Sequence, residues 1–146
     1  MATVTKLTSA AEIRGARDEF EKNVTSVVYD KEFSAIGQGF KIQSLIGKSN
    51  YVYVKCVKDE KVVGLAYGYR IDESKFFIAD IISASGSQSG SAMVEWFGNK
   101  DNVGMPGLRV LALDAANEDL RKTYAKSWYG FKLLNEQSSR MEKGIA

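Results

Sequence analysis

The chain has 146 residues, 45% hydrophobic and 26% charged, a balance that fits one globular domain over residues 1–146 and excludes a disordered chain. Its 20 basic and 18 acidic residues leave a net charge of +2, too even to argue for a nucleic-acid partner. With no histidine and a single cysteine, Cys56, the composition excludes Ser-His-Asp and Cys-His nucleophile machinery and an internal disulfide, and no metal site is expected.

No apolar run approaches the roughly eighteen residues of a membrane span. The opening MATVTKLTSAAEIRG lacks the basic-then-apolar layout of a secretory signal, so a cytoplasmic location is expected. Thr3 to Leu7 alternates weakly and predicts a first strand. Ser9-Ala10-Ala11-Glu12 has the S-x-x-E form of a capping box. Behind it Ile13, Ala16, Phe20 and Val24 recur at helical spacing, which predicts a helix over Ala10 to Asn23. From Val27 to Gly47 no period dominates, and that stretch is left unassigned.

Tyr51 to Lys58 and Val62 to Ile71 are rich in valine and tyrosine and flank the polar tip Asp59-Glu60-Lys61, the pattern of a hairpin. A second tip, Glu73-Ser74-Lys75, leads into Phe76 to Ala84 (FFIADIISA). Apolar on both alternating faces, this segment predicts a central strand covered on each side. The Ser/Gly stretch from Ser83 follows, then a helix carrying Met93, Val94 and Phe97. Leu108 to Ala115 predicts another buried strand. Asn117 is a candidate N-cap for a helix whose face carries Leu120, Tyr124 and Trp128. FKLLNE and the tail SSRMEKGIA predict closing strands. The order describes an α/β sandwich around a mixed sheet.

The stretch SASGSQSGSAMVEWF, Ser83 to Phe97, is the most informative. Strand, glycine-and-serine loop, then helix, is physically an anion site, because the first helical turn carries unpaired N–H donors at a positive dipole end. Ser85, Gly86, Ser87, Gln88, Ser89, Gly90 and Ser91 can add backbone N–H groups and hydroxyls. Neither better-known phosphate loop fits. Ser91, not lysine, follows Gly90, and only Gly86 and Gly90 supply glycine. A merely flexible connection is the plainer reading of the loop alone.

This element order and loop resemble the GNAT superfamily of acyl-CoA-dependent N-acetyltransferases. Val63-Gly64 looks like part of that family's second and third strands, FFIADIISA like its fourth, and LRVLALDA like its fifth. SASGSQSGSAMVEWF looks like the pyrophosphate loop and third helix, and Asn117, Tyr124 and Gly130-Phe131 are similar to its N…Y…GF segment. The family loop reads Arg/Gln-x-x-Gly-x-Gly/Ala. In one register Ser85 falls at the Arg/Gln position, Gln88 at the first glycine and Gly90 at the last; a register shifted by two reads Ser87-x-x-Gly90-x-Ala92. The basic residue is missing in both, and Lys100 or Lys122 is a candidate to compensate.

The resemblance implies a single-domain GNAT-like fold, its mixed, mostly antiparallel sheet flanked by helices and splayed between strands four and five. It implies acetyl-CoA as cosubstrate and direct attack by a primary amine in a ternary complex. Ile81, Ile82 and Ser83 would hold the pantetheine arm, the loop from Ser85 to Ser91 the pyrophosphate, and Asn117 would assist. Tyr124 would protonate the departing thiolate, with Tyr129 as the fallback; a plain core stripe is the competing reading of Tyr124. Asp80, the one charge in its apolar strand, is a candidate base beside water, or half of a structural ion pair with Arg70 or Arg109. Asp114 is a weaker candidate. Cys56 reads as a core residue. The acceptor is an amine of unknown identity; an aminoacyl-tRNA amine and a homodimer stay open. The rival functions are a catalytically degenerate module that binds acyl-CoA or a protein partner, and a plain interaction domain.

Overall fold

A computed structural model of the chain describes residues 2–23, 51–84, 87–114, 122, 124–126, 129–133 and 140–145, with residues 10, 21, 23, 80 and 133 described by their backbone alone. Strand β1 (Thr3–Leu7) and helix α1 (Ala10–Asn23) occupy the spans their patterns predict. The capping box forms. Ser9 Oγ accepts the Glu12 N–H at 3.1 Å, and Glu12 Oε1 accepts the Thr8 N–H at 3.2 Å and the Thr8 hydroxyl at 2.7 Å. Ile13, Ala16 and Phe20 form the buried stripe.

Strands β2 (Tyr51–Lys58) and β3 (Lys61–Arg70) make the hairpin. Its turn is tighter than the three-residue tip read from sequence. Asp59 and Glu60 alone turn it, both left-handed at φ 54° and 64°, which matches the right-handed twist of the flanking strands. Strand β4 (Lys75–Ser83) follows a turn that Asp72 organises by accepting the N–H groups of Ser74 and Lys75 at 2.8 and 2.9 Å. Helix α2 (Ser89–Phe97), a short helix α3 (Lys100–Val103), and strands β5 (Val110–Asp114), β6 (Lys132–Leu133) and β7 (Arg140–Gly144) complete the described elements.

The sheet order is β1-β2-β3-β4-β5-β7-β6, with β4 and β5 parallel and every other neighbouring pair antiparallel. The parallel pair needs a crossover, and α2 lies within it. This is the mixed, mostly antiparallel sheet flanked by helices that the sequence led us to expect. Met93, Val94 and Phe97 of α2 are buried, and Phe97 stacks on Phe76 of β4 with ring centroids 5.2 Å apart. Two irregularities matter for the site. The β2–β3 register slips after Cys56↔Gly64, which leaves Val63 as an extra residue; the β3–β4 register slips between Tyr67↔Asp80 and Gly68↔Ile78. No helix among the described residues is long and apolar enough to cross a membrane.

Candidate functional site

The site begins where two strands part. β4 pairs with β5 from Lys75↔Val110 to Ile78↔Leu113 and then runs on to Ser83 with β3 alone beside it, through Ile81↔Ala66, Ile82↔Leu65 and Ser83↔Gly64. Along that stretch one backbone edge of β4 faces no strand among the described residues. An open edge of N–H and C=O groups inside a sheet suits an extended ligand carrying amides. Ile81 and Ile82 are buried and Ser83 is half-buried.

The loop beyond β4 is held by its serines. Ser87 Oγ donates to the Ala84 carbonyl at 2.7 Å and accepts the Ser89 N–H at 3.3 Å, Ser89 Oγ donates to the Val63 carbonyl at 2.9 Å, and the two hydroxyl oxygens lie 2.9 Å apart. Val63 is the bulged residue of β3, and its carbonyl also accepts the Ala84 N–H at 2.8 Å. Gly64 makes room for this knot, since a Cβ there would lie 2.7 Å from Ser89 Oγ and 2.8 Å from Met93 Cε. The Ser87 and Ser89 hydroxyls, expected to face an anion, are therefore turned to the protein. Both residues are buried, at 8% and 0% exposure.

Ser91 Oγ likewise turns back, donating to the Gln88 carbonyl at 3.0 Å, so among the described loop residues what remains for a ligand is chiefly backbone. Gln88, the exposed N-cap of α2, is left-handed at φ 62° and makes no side-chain cap. The N–H groups of Gly90 and Ser91 in the first turn donate to no acceptor among the described residues. That turn carries no acidic residue, so its positive dipole end is not neutralised from within. Ser85 and Gly86 lie outside the described residues, as does Asn117.

Tyr124 is helical and buried at 4% exposure, its ring edge-on to Tyr129 at 5.1 Å and to Phe131 at 6.0 Å. Tyr129 reaches the loop: its hydroxyl lies 2.7 Å from where a Cβ on Gly90 would sit, with Ser83 Oγ 3.6 Å from the same point. Burial raises the Tyr129 phenol above its ordinary pKa, so it is neutral at physiological pH. The two tyrosines thus bridge the helical segment at Tyr124 to the end of β4.

The remaining candidates separate. The backbone of Asp80 pairs with Tyr67 beyond the point where β5 leaves β4; its side chain lies outside the described residues. Arg70 and Arg109 are exposed. Asp114 ends β5 in an ion pair with Arg140, Nε to Oδ1 at 2.7 Å. Cys56 is fully buried, and that burial raises its thiol pKa, so it is a core residue rather than a nucleophile. Lys100 follows the far end of α2, roughly 13 Å of helix from the loop, which corrects the expectation that it could stand in for the missing cation. Lys122 is exposed. A cavity of about 570 Å³, lined by Glu95, Lys100, Leu108 and Lys143 among others, also opens at that far end and takes no part in this site. No cluster of acidic or cysteine side chains among the described residues could hold a metal ion.

No protein-family model and no curated protein sequence matches the chain. Solved structures do. An aminoglycoside 6'-acetyltransferase type Ii superposes with a TM-score of 0.67 at 12% identity, over 99% of this chain and 97% of that one. A ribosomal-protein alanine N-acetyltransferase from Escherichia coli gives 0.64 at 16% identity, over 100% and 95%. The PaiA N-acetyltransferase of Thermoplasma acidophilum, in complex with coenzyme A, gives 0.60 at 15% identity, over 98% and 99%. The fold is the GNAT acetyltransferase fold.

Proposed function

We propose that the protein is an acyl-CoA-dependent N-acetyltransferase that moves the acetyl group of acetyl-CoA to a primary amine. The observation that carries this reading is the coincidence of a β4 edge left open among the described residues with a helix start immediately after it whose Gly90 and Ser91 N–H groups find no acceptor there, in a fold shared with acetyltransferases. The β4 edge from Ile81 to Ser83 offers hydrogen bonds to the amides of the pantetheine arm. The loop N–H groups and the α2 dipole receive the pyrophosphate, without a cation.

In the reaction the amine nitrogen attacks the thioester carbonyl, the new C–N bond forms and the C–S bond breaks. Asp80 or water takes the ammonium proton. Tyr124 gives a proton to the leaving thiolate; its position against Tyr129, whose hydroxyl reaches Gly90, supports that role. The neighbours' names span an aminoglycoside and a protein alanine, so the fold alone leaves the acceptor open.

Calorimetric titration with acetyl-CoA tests the reading, repeated on Gln88→Glu. That exposed substitution puts a negative charge where the pyrophosphate would sit, and the affinity is expected to fall roughly tenfold. Wild-type protein that binds no acyl-CoA, or equal affinity in the two proteins, overturns the assignment of the loop. Once an accepted amine is found, Tyr124→Phe is expected to lower kcat and leave the acetyl-CoA Kd unchanged.

A further inference from the structure

We propose that Tyr129 controls access to the acyl-CoA cleft: its ring stands over Gly90 and has to turn away before the arm of an acyl-CoA can lie between β4 and the start of α2. This rests on the acyl-CoA reading above and identifies the side chain that regulates that site. A glycine at the end of a loop of this kind permits close approach of a ligand backbone or phosphate. In this structure something already approaches. Gly90 is buried, and the side-chain atom nearest its open side is the Tyr129 hydroxyl, 2.7 Å from the position of a Cβ, followed by Ser83 Oγ at 3.6 Å. Tyr129 therefore spans the junction of the two elements that define the cleft.

The way Tyr129 is held suits a side chain that moves. Its backbone is anchored, since the N–H groups of Tyr129 and Gly130 both donate to the Lys126 carbonyl at 3.0 and 2.8 Å. Gly130 is left-handed at φ 76°, the usual closure of a helical segment. The ring has no such anchor. It packs edge-on to Tyr124 at 5.1 Å, it is half-buried, and its hydroxyl makes no hydrogen bond among the described residues. Rotation about χ1 consequently breaks ring packing and no hydrogen bond among the described residues. The phenol, raised in pKa by burial, is neutral and needs no counter-charge in either position. A ligand that requires the open rotamer binds with an apparent Kd divided by the open fraction, so deleting the ring tightens binding by the inverse of that fraction.

The experiment is acetyl-CoA titration of wild type, Tyr129→Phe, Tyr129→Leu and Tyr129→Ala. Leucine keeps packing against Tyr124 but is too short to reach Gly90, which guards against a variant that fails to fold. The Leu and Ala variants are expected to bind roughly tenfold tighter, corresponding to an open fraction of about one tenth in wild type, and Phe to lie between them and wild type. Equal affinities, or weaker binding in all three variants, overturn the gate while the acyl-CoA reading stands. Absence of binding in all four proteins overturns both. Gly90→Ala supplies a readout that needs no ligand. It is expected to lower the Tm of wild type and to cost far less in the Tyr129→Ala background; an equal cost in the two backgrounds also overturns the gate.

Discussion

Helices α1 and α2 both start in serine-containing sequence, Ser9-Ala10-Ala11-Glu12 and Ser87-Gln88-Ser89-Gly90, and they start in opposite ways. At α1 the Glu12 carboxylate folds back over its own N-terminus, with Ser9 and Thr8 as partners, so negative charge is supplied from within the helix. At α2 no acid occupies the first turn, Gln88 is left-handed, and the serine hydroxyls are committed to Ala84 and Val63 of the sheet. The difference shows that a serine near a helix start is not in itself a ligand group. Its hydroxyl goes to whichever carbonyl the tertiary fold brings nearest. What distinguishes a helix start that binds from one that merely begins is whether its N–H groups are already served.

The comparison breaks most severely at Gly64. Replacing it with valine drives a side chain into Ser89 and Met93 and unseats the start of α2, with an expected loss of about 3 kcal/mol in urea unfolding. A loss under about 1 kcal/mol would mean that α2 does not depend on this contact. Next in size come two hydroxyl deletions that sharpen the contrast. Ser89→Ala and Ser9→Ala are each expected to cost about 1 kcal/mol. Ser89→Ala also weakens acetyl-CoA binding, whereas Ser9→Ala leaves it untouched; parallel effects on affinity would erase the distinction between the two helix starts. The smallest effect is one of pH. Hydrogen bonds from Thr8 hold the Glu12 carboxyl below the usual glutamate range. Its contribution to stability is present above the unfolded pKa of about 4.3 and lost as the pH falls through the lowered folded value. Melting curves of wild type and Glu12→Gln are therefore expected to differ near about pH 7 and converge toward about pH 3. A gap that persists into acid would place the effect outside this carboxylate.

Much of the fold was legible because local rules coincide there. The capping box and the Ile13, Ala16, Phe20 spacing delimit α1, and the Val/Tyr alternation of β2 and β3 brackets their hairpin. Helix α3 was missed, although Asn99, whose side chain accepts the N–H groups of Asp101 and Asn102, and left-handed Gly104 are its ordinary cap signals. The loop was legible as a place for an anion, but the roles within it were not. Ser87, Ser89 and Ser91 look equivalent in sequence, yet a bulge at Val63, invisible to periodicity, presents the carbonyl that captures Ser89, whereas Ser91 donates locally to the Gln88 carbonyl. The stretch from Val27 to Gly47, where no period dominates, lies outside the described residues, as do Asn117 and the Asp80 side chain.

The sequence by itself determined the elements and their order, because helix caps, apolar periods and turn residues act over a few neighbours along the chain. It also excluded histidine chemistry. Only the tertiary structure decided what stands next to what. The parting of β4 from β5 depends on a parallel pairing closed across a crossover. The meeting of Tyr129 with Gly90, 39 positions earlier in the chain, depends on how the sheet stacks α2 against the segment before β6. Contacts between distant residues are set by packing over the whole domain, and no local pattern in the chain records them.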